Sequence, residues 1–161
     1  MHIARQKITP FLWFDTQAAE AAQFYLSVFK EGKIINTTQW GEAGPGPKGS
    51  VMTVAFELAG QQFVALNGGP NFKFTEAVSF VVNCDTQEEI DHYWEALVSG
   101  GGAHIECGWL KDKYGLAWQI VPTIFWDLIQ DADSARTERV MHALMQMRKL
   151  DIATLERAAN A

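Results

Sequence analysis

The sequence predicts an α+β fold made of two βαβββ modules followed by C-terminal helices. Segments of period-2 apolar alternation flank two helical patterns, in the same order in each half of the chain. The tetrapeptide Phe14-Asp15-Thr16-Gln17 returns as Cys84-Asp85-Thr86-Gln87, seventy positions on, each time between a strand pattern and a helix pattern. After Pro122 the alternation gives way to helical periodicity.

In the first module, Ile8 to Phe14 reads as a strand, with Pro10 near its start or on an edge where a missing N–H does no harm. Asp15 and Thr16 are N-cap candidates for a helix whose apolar face runs from Ala18 to Phe29 and whose C-terminal stop is Gly32. Ile34 to Trp40 is rich in β-branched residues, and Gly41 to Gly49 is a Gly/Pro loop. Met52, Val54, Phe56 and Leu58 then alternate, and Gly60-Gln61 turns the chain into Gln62 to Leu66. The break Asn67-Gly68-Gly69-Pro70 closes the module.

The second module opens with a strand over Val78 to Asn83. A helix follows, beginning with the capping box Thr86 and Glu89 and ending at Ser99-Gly100-Gly101-Gly102. Ala103 to Cys107, Gly108 to Lys111 and Leu116 to Val121 supply the remaining strands. Helices follow over Phe125 to Ile129, from a cap at Asp133 or Ser134 with Val140, Leu144 and Met147 on one face, and over Ile152 to Ala159. Their apolar faces require a partner, either the domain's own sheet or a second subunit. The organisation expected is one domain, 1–161, with module one at about 7–67, module two at about 76–122 and a helical extension at 123–161.

With 161 residues, 48% of them hydrophobic, the chain is long enough to bury a core without disulfides or metals. Thirteen basic residues against nineteen acidic ones give a net charge of -6, and the basic residues are scattered, which argues against nucleic acid as a partner. The first residues, Met1 to Lys7, carry no apolar leader pattern, and no stretch reaches the roughly 18 apolar residues of a spanning helix, so a cytoplasmic location without membrane contact is expected. Cys84 and Cys107 have no metal-site or redox spacing and read as free thiols.

Ile8-Thr9-Pro10-Phe11-Leu12-Trp13-Phe14-Asp15, Ala19-Glu20-Ala21-Ala22-Gln23-Phe24-Tyr25, Asn67 to Phe74 and Cys107 to Pro122 together resemble the PhnB-like branch of the vicinal-oxygen-chelate superfamily. That superfamily joins glyoxalase, bleomycin resistance and dihydroxybiphenyl dioxygenase proteins, and the ending Arg139 to Ile152 is similar too. The resemblance implies that the two modules curl into a mixed sheet around a cavity, that the protein is a homodimer, and that it carries the branch's frequent label, 3-demethylubiquinone-9 3-methyltransferase. A methyltransferase typically holds its cofactor at a Gly-rich turn between a parallel strand and a helix, and no such unit is visible.

Metal-dependent members of the superfamily place His, Glu or Gln on cavity-facing strand positions. Here those positions fall on Ile8 or Pro10, on Val78 or Phe80, on Val64 and on Gln119, so only one neutral amide is offered. His2 lies at the terminus, His92 and His142 lie in helices, and His104 with Glu106 on one strand face is the remaining weak pair. No cofactor and no superfamily-type metal site is therefore expected.

Six tryptophans and ten phenylalanines can fill a core or wall a cavity for a planar or apolar small molecule. The ligand-binding candidates are Trp13, Phe56, Asn67, Phe72, Trp109, Lys111, Asp112, Trp118 and Gln119. For Lys111 and Asp112 the alternative is a solvated hairpin loop. Three functions follow from these readings: a metal-free small-molecule-binding protein, an enzyme (lyase, dioxygenase or methyltransferase), or a partner-binding protein that acts through its C-terminal helices.

Overall fold

The computed structural model describes residues 6–161, so His2 lies outside the described residues. The chain divides into two compact units, residues 1–73 and 74–161, each built on one module.

The first unit runs β1 (Phe11–Phe14), α1 (Ala18–Val28), β2 (Gly32–Gln39), β3 (Val51–Leu58) and β4 (Gln61–Asn67), in the sheet order β1-β4-β3-β2 with β1 and β4 parallel. Pairing begins at Phe11 rather than Ile8, because Pro10 has no N–H to donate and contributes only its carbonyl, to Val64 N. Gly32 does not end the helix but opens β2, where a Cβ would lie 2.6 Å from the Glu57 carbonyl. Ala59 and Gly60, both at positive φ, form the β3–β4 turn that a tight hairpin demands, one residue earlier than expected.

Helix α1 covers one sheet face. Ala18, Ala21, Ala22, Tyr25 and Val28 meet Leu12, Phe14, Val54, Phe56 and Phe63 in a core where Phe56 stacks between Tyr25 and Phe63, at 6.1 and 5.5 Å between ring centroids. The small alanines let the helix lie close to the sheet.

The second unit runs β5 (Ser79–Cys84), α2 (Gln87–Ala96), β6 (Ala103–His104), β7 (Trp109–Lys111), β8 (Ala117–Pro122), α3 (Thr123–Ile129), α4 (Ser134–Met145) and α5 (Ile152–Asn160). Its sheet order, β5-β8-β7-β6 with β5 and β8 parallel, repeats that of the first unit. The capping box forms, with Glu89 N donating to Thr86 Oγ1, but the Glu89 carboxylate accepts from Asp85 N, one residue before the cap. Strand β6 ends at His104 because Cys107 and Gly108 both take positive φ and turn the chain. His104 and Glu106 therefore do not share a strand face.

The cross-strand row His104, Leu110, Trp118, Phe80 faces α2, where His104 stacks on Trp94 at 4.3 Å and bonds the Trp94 carbonyl. The C-terminal helices find their partner surface within this unit. Phe125, Leu128, Val140, Leu144, Leu150 and Leu155 form a cluster that takes in Val121 of β8, and Trp126 donates to the Asn83 side chain. No helix among the described residues is long and apolar enough to cross a membrane.

Both cysteines are free. Burial, then the charges of Glu89 and Asp85, pushes the Cys84 thiol up to about 12. A thiol protonated more tightly when folded adds stability that is present below the ordinary value of 9.0 and is lost as pH rises towards about 12. A disulfide-exchange reagent at about pH 8 is expected to label Cys107 alone in the native protein and both thiols in denaturant. Rapid native labelling of two thiols would contradict this packing.

Candidate functional site

Strand alternation leaves each sheet one face away from its first helix. In the second unit that face carries two rows, Lys111-Ala117-Ser79 and Trp109-Gln119-Val81. Gln119 Nε2 donates to Ser79 Oγ at 2.8 Å, which fixes the amide and leaves its carbonyl oxygen for other partners. The Lys111 ammonium pairs with Glu76 at 2.8 Å, and this contact holds the Glu76 carboxyl below its usual range. Trp109, Lys111 and Gln119, three of the residues singled out from sequence, are thus neighbours on one half-buried face, beside the exposed Val81.

In the first unit the corresponding face carries Phe11, Trp13, Val64 and Leu66, with Thr38 bonded to Thr53. Trp13 Nε1 donates to the Gly69 carbonyl at 2.9 Å, and the indole meets Phe72 edge-on at 4.9 Å. A Cβ on Gly68 would sit 2.4 Å from this indole, so the glycine lets the loop lie flat on the ring. Trp13 and Phe72 form an aromatic pair in which Phe72 is 65% exposed.

The remaining candidates hold the fold. Phe56 is fully buried under α1, and Trp118 lies on the α2 side of its sheet. Asp112 is only 3% exposed; its Oδ1 accepts from Tyr114 N and Leu116 N, and its Oδ2 from Trp118 Nε1. Such a carboxylate is a turn staple. The solvated-loop alternative fits neither, since Asp112 is buried and Lys111 is the last residue of β7. Asn67 accepts from Ala18 N and donates to the Val51 carbonyl, which caps α1 from β4 where the Gln17 side chain makes no cap. Asp15 and Thr16, the expected caps, do not serve.

The position that would hold a superfamily-type metal can be read from the register. Gln119 lies opposite Val81 of β5, and Val64, its counterpart in the first unit, lies opposite Phe11 of β1. These are Phe11 and Val81 rather than the Ile8, Pro10, Val78 or Phe80 expected from the sequence, and neither can ligate. His104 is on the opposite sheet face from Gln119, and Glu106 pairs with Arg148 at 3.2 Å, so these three do not converge. Among the described residues no group of three or more His, Cys, Asp or Glu side chains is placed to hold a metal ion. The donor set does not fit a divalent ion. The strand-to-helix turns Asp15-Thr16-Gln17 and Asp85-Thr86 contain no glycine, so the Gly-rich turn that typically cradles S-adenosylmethionine is missing too.

One feature of the first unit was not legible as a site in the sequence. A cleft of about 470 Å³ opens at the start of α1, between Asp15, Thr16 and Ala19 on one side and Trp40, Pro45 and Pro47 on the other, with Asn67 in its lining. The Gly/Pro run of 41–49 was its only sequence signal: a Cβ at Gly44 or Gly46 would lie 2.2 Å from the Trp40 indole, so glycine there lets the loop close on the ring.

The family described as 3-demethylubiquinone-9 3-methyltransferase matches residues 6–121. The match stops before α3, so it does not extend to the similarity expected over Arg139 to Ile152. Among solved structures, the PhnB protein from Bacillus cereus, which carries the same methyltransferase description, is 40% identical, covers 73% of this chain and 99% of its own, and has a TM-score of 0.65. PA1353 from Pseudomonas aeruginosa is 21% identical over 73% of this chain and 98% of its own, with a TM-score of 0.60. The fosfomycin resistance protein FosX from Listeria monocytogenes shares the fold at 13% identity over 74% of this chain and 91% of its own, with a TM-score of 0.50. No curated protein shows a comparable match.

Proposed function

Because the chain belongs to the 3-demethylubiquinone-9 3-methyltransferase family, in its PhnB-like form, we propose that it is a small-molecule-binding protein of the glyoxalase/bleomycin resistance type, with an aromatic-lined site and no superfamily-type metal. The observation that carries this reading is the row Trp109-Gln119-Val81, where an indole, a tethered amide and an apolar side chain occupy the face on which a metal-dependent relative needs ligands. An aromatic plane with a few fixed polar groups suits a planar or apolar ligand. Trp13 and Phe72 form a separate aromatic pair on the corresponding face of the first module. Asp112 and Trp118, joined by a hydrogen bond, hold the hairpin that carries this row, while Phe56 and Asn67 serve the first module's own packing and helix cap. The protein acts as a cytoplasmic homodimer, with 1–161 as one functional domain whose modules span 7–67 and 76–122.

Titration with 1-anilinonaphthalene-8-sulfonate tests this reading. Saturable fluorescence enhancement is expected, weakened roughly tenfold in Trp109→Ala, in line with loss of an aromatic anchor. Elemental analysis of untagged protein and thermal melts with manganese, nickel and zinc are expected to show no stoichiometric metal and no shift. Stoichiometric metal would favour a lyase or dioxygenase instead, and unsaturable dye binding indifferent to Trp109 would remove the site.

A further inference from the structure

We propose that the cleft at the start of α1 binds a small organic cation, an alkyl- or arylammonium compound held between the Asp15 carboxylate and the Trp40 indole. This site is distinct from the Trp109 face and does not depend on it.

At about 470 Å³ the cleft has the size of a small-molecule site. Asp15 is the one charged residue in its lining, and its carboxylate has no hydrogen-bond or ion-pair partner among the described residues. Only its backbone carbonyl is engaged, by Gly69 N. The nearby loop adds no net charge, since Lys48 and Glu42 pair with each other at 2.6 Å.

Trp40 is fixed in place. Its backbone N–H bonds the Ser50 carbonyl, its carbonyl accepts from Gly49 N, and Gly44 and Gly46 close on the ring. A preorganised indole and an unpaired carboxylate lining one cleft supply the chemistry that recognises ammonium groups, because a ring face and an anion both attract a cation. Pro45, Pro47 and Val51 supply an apolar wall for its carbon substituents.

The same cleft adjoins a helix start, which by itself would favour an anion. Here the first helical N–H, at Ala18, is already taken by Asn67, and both halves of that amide are spent. Asp15 adds a negative charge at this helix end.

The test is a 1H–15N titration of the full chain with benzyltrimethylammonium and, separately, with benzenesulfonate. The Trp40 indole resonance, assigned by its loss in Trp40→Phe, is expected to shift with the cation. Asp15→Asn, which removes no contact within the protein, is expected to keep the native melting curve and to weaken cation binding roughly tenfold. The proposal is overturned by an unchanged affinity in Asp15→Asn, or by a still Trp40 resonance where a millimolar site would be saturated. Tighter binding of the sulfonate than of the cation would overturn it equally.

Discussion

Replacing Asp112 by alanine is expected to destabilise the protein by about 3–5 kcal/mol, since three donors, two of them buried and one part-buried, lose their acceptor at roughly 1–3 kcal/mol apiece before relaxation. The donors are Tyr114 N, Leu116 N and Trp118 Nε1, and Asp112 itself is 3% exposed. The carboxylate also sets the turn geometry: Gly115 N bonds the Asp112 carbonyl, and Asp112 N bonds the Leu116 carbonyl. Asp112→Asn is the informative partner. It can keep the acceptor for the two backbone amides but turns an N–H2 group towards the Trp118 indole N–H, so a loss of about 1–2 kcal/mol is expected. Urea unfolding followed by tryptophan fluorescence measures both. An alanine variant within about 0.5 kcal/mol of the parent, the range of ordinary surface substitutions, would mean that the carboxylate is not the staple of this turn.

Asp112 also marks the limit of what the sequence discloses. Lys111-Asp112-Lys113 before a glycine reads as a solvated hairpin, and nothing in local composition reveals that the middle residue turns inward. The partner that draws it in, Trp118, lies six positions away across the turn. Asn67 is a similar case: its cap on Ala18 spans 49 positions, so no local rule points from one to the other. Period and repeat, by contrast, were legible, because both report burial directly. The seventy-residue repeat relates Phe11 to Val81, and the register confirms it by placing them opposite Val64 and Gln119. Of the site, the grouping of Trp109, Lys111 and Gln119 follows from alternation across a hairpin. Which aromatic residues were core did not follow: Trp13 lies between Leu12 and Phe14 and Phe56 between Ala55 and Glu57, yet Phe56 is the one on the face that α1 covers. The cleft beside Trp40 was hidden for another reason: it depends on where a loop closes, and loops leave no periodic trace.

Gly108→Ala is expected to be the other severe lesion, at about 2–5 kcal/mol. Two costs add at this position. Gly108 sits at φ +82, a left-handed conformation that costs a side-chain-bearing residue roughly 1–2 kcal/mol. A Cβ there would also lie 2.9 Å from the Ile120 carbonyl oxygen and 3.0 Å from Leu150, and overpacking of a rigid site costs about 1–3 kcal/mol. Neither neighbour yields easily. Ile120 is held against the same turn, its N–H donating to the Gly108 carbonyl at 2.8 Å, and Leu150 is 1% exposed in the helical cluster. Cys107 N and Gly108 N donate to the Met147 and Arg148 carbonyls, so the methyl group would strain the contact by which the segment after α4 grips the sheet. Gly60→Ala separates the two costs: Gly60 has φ +83 but open space at its Cβ, so only the backbone cost of roughly 1–2 kcal/mol is expected there. If both variants melt alike, the close approach at Gly108 contributes nothing; if Gly108→Ala alone also loses protection from proteolysis in the segment 146–161, the extension is held to its sheet by this turn.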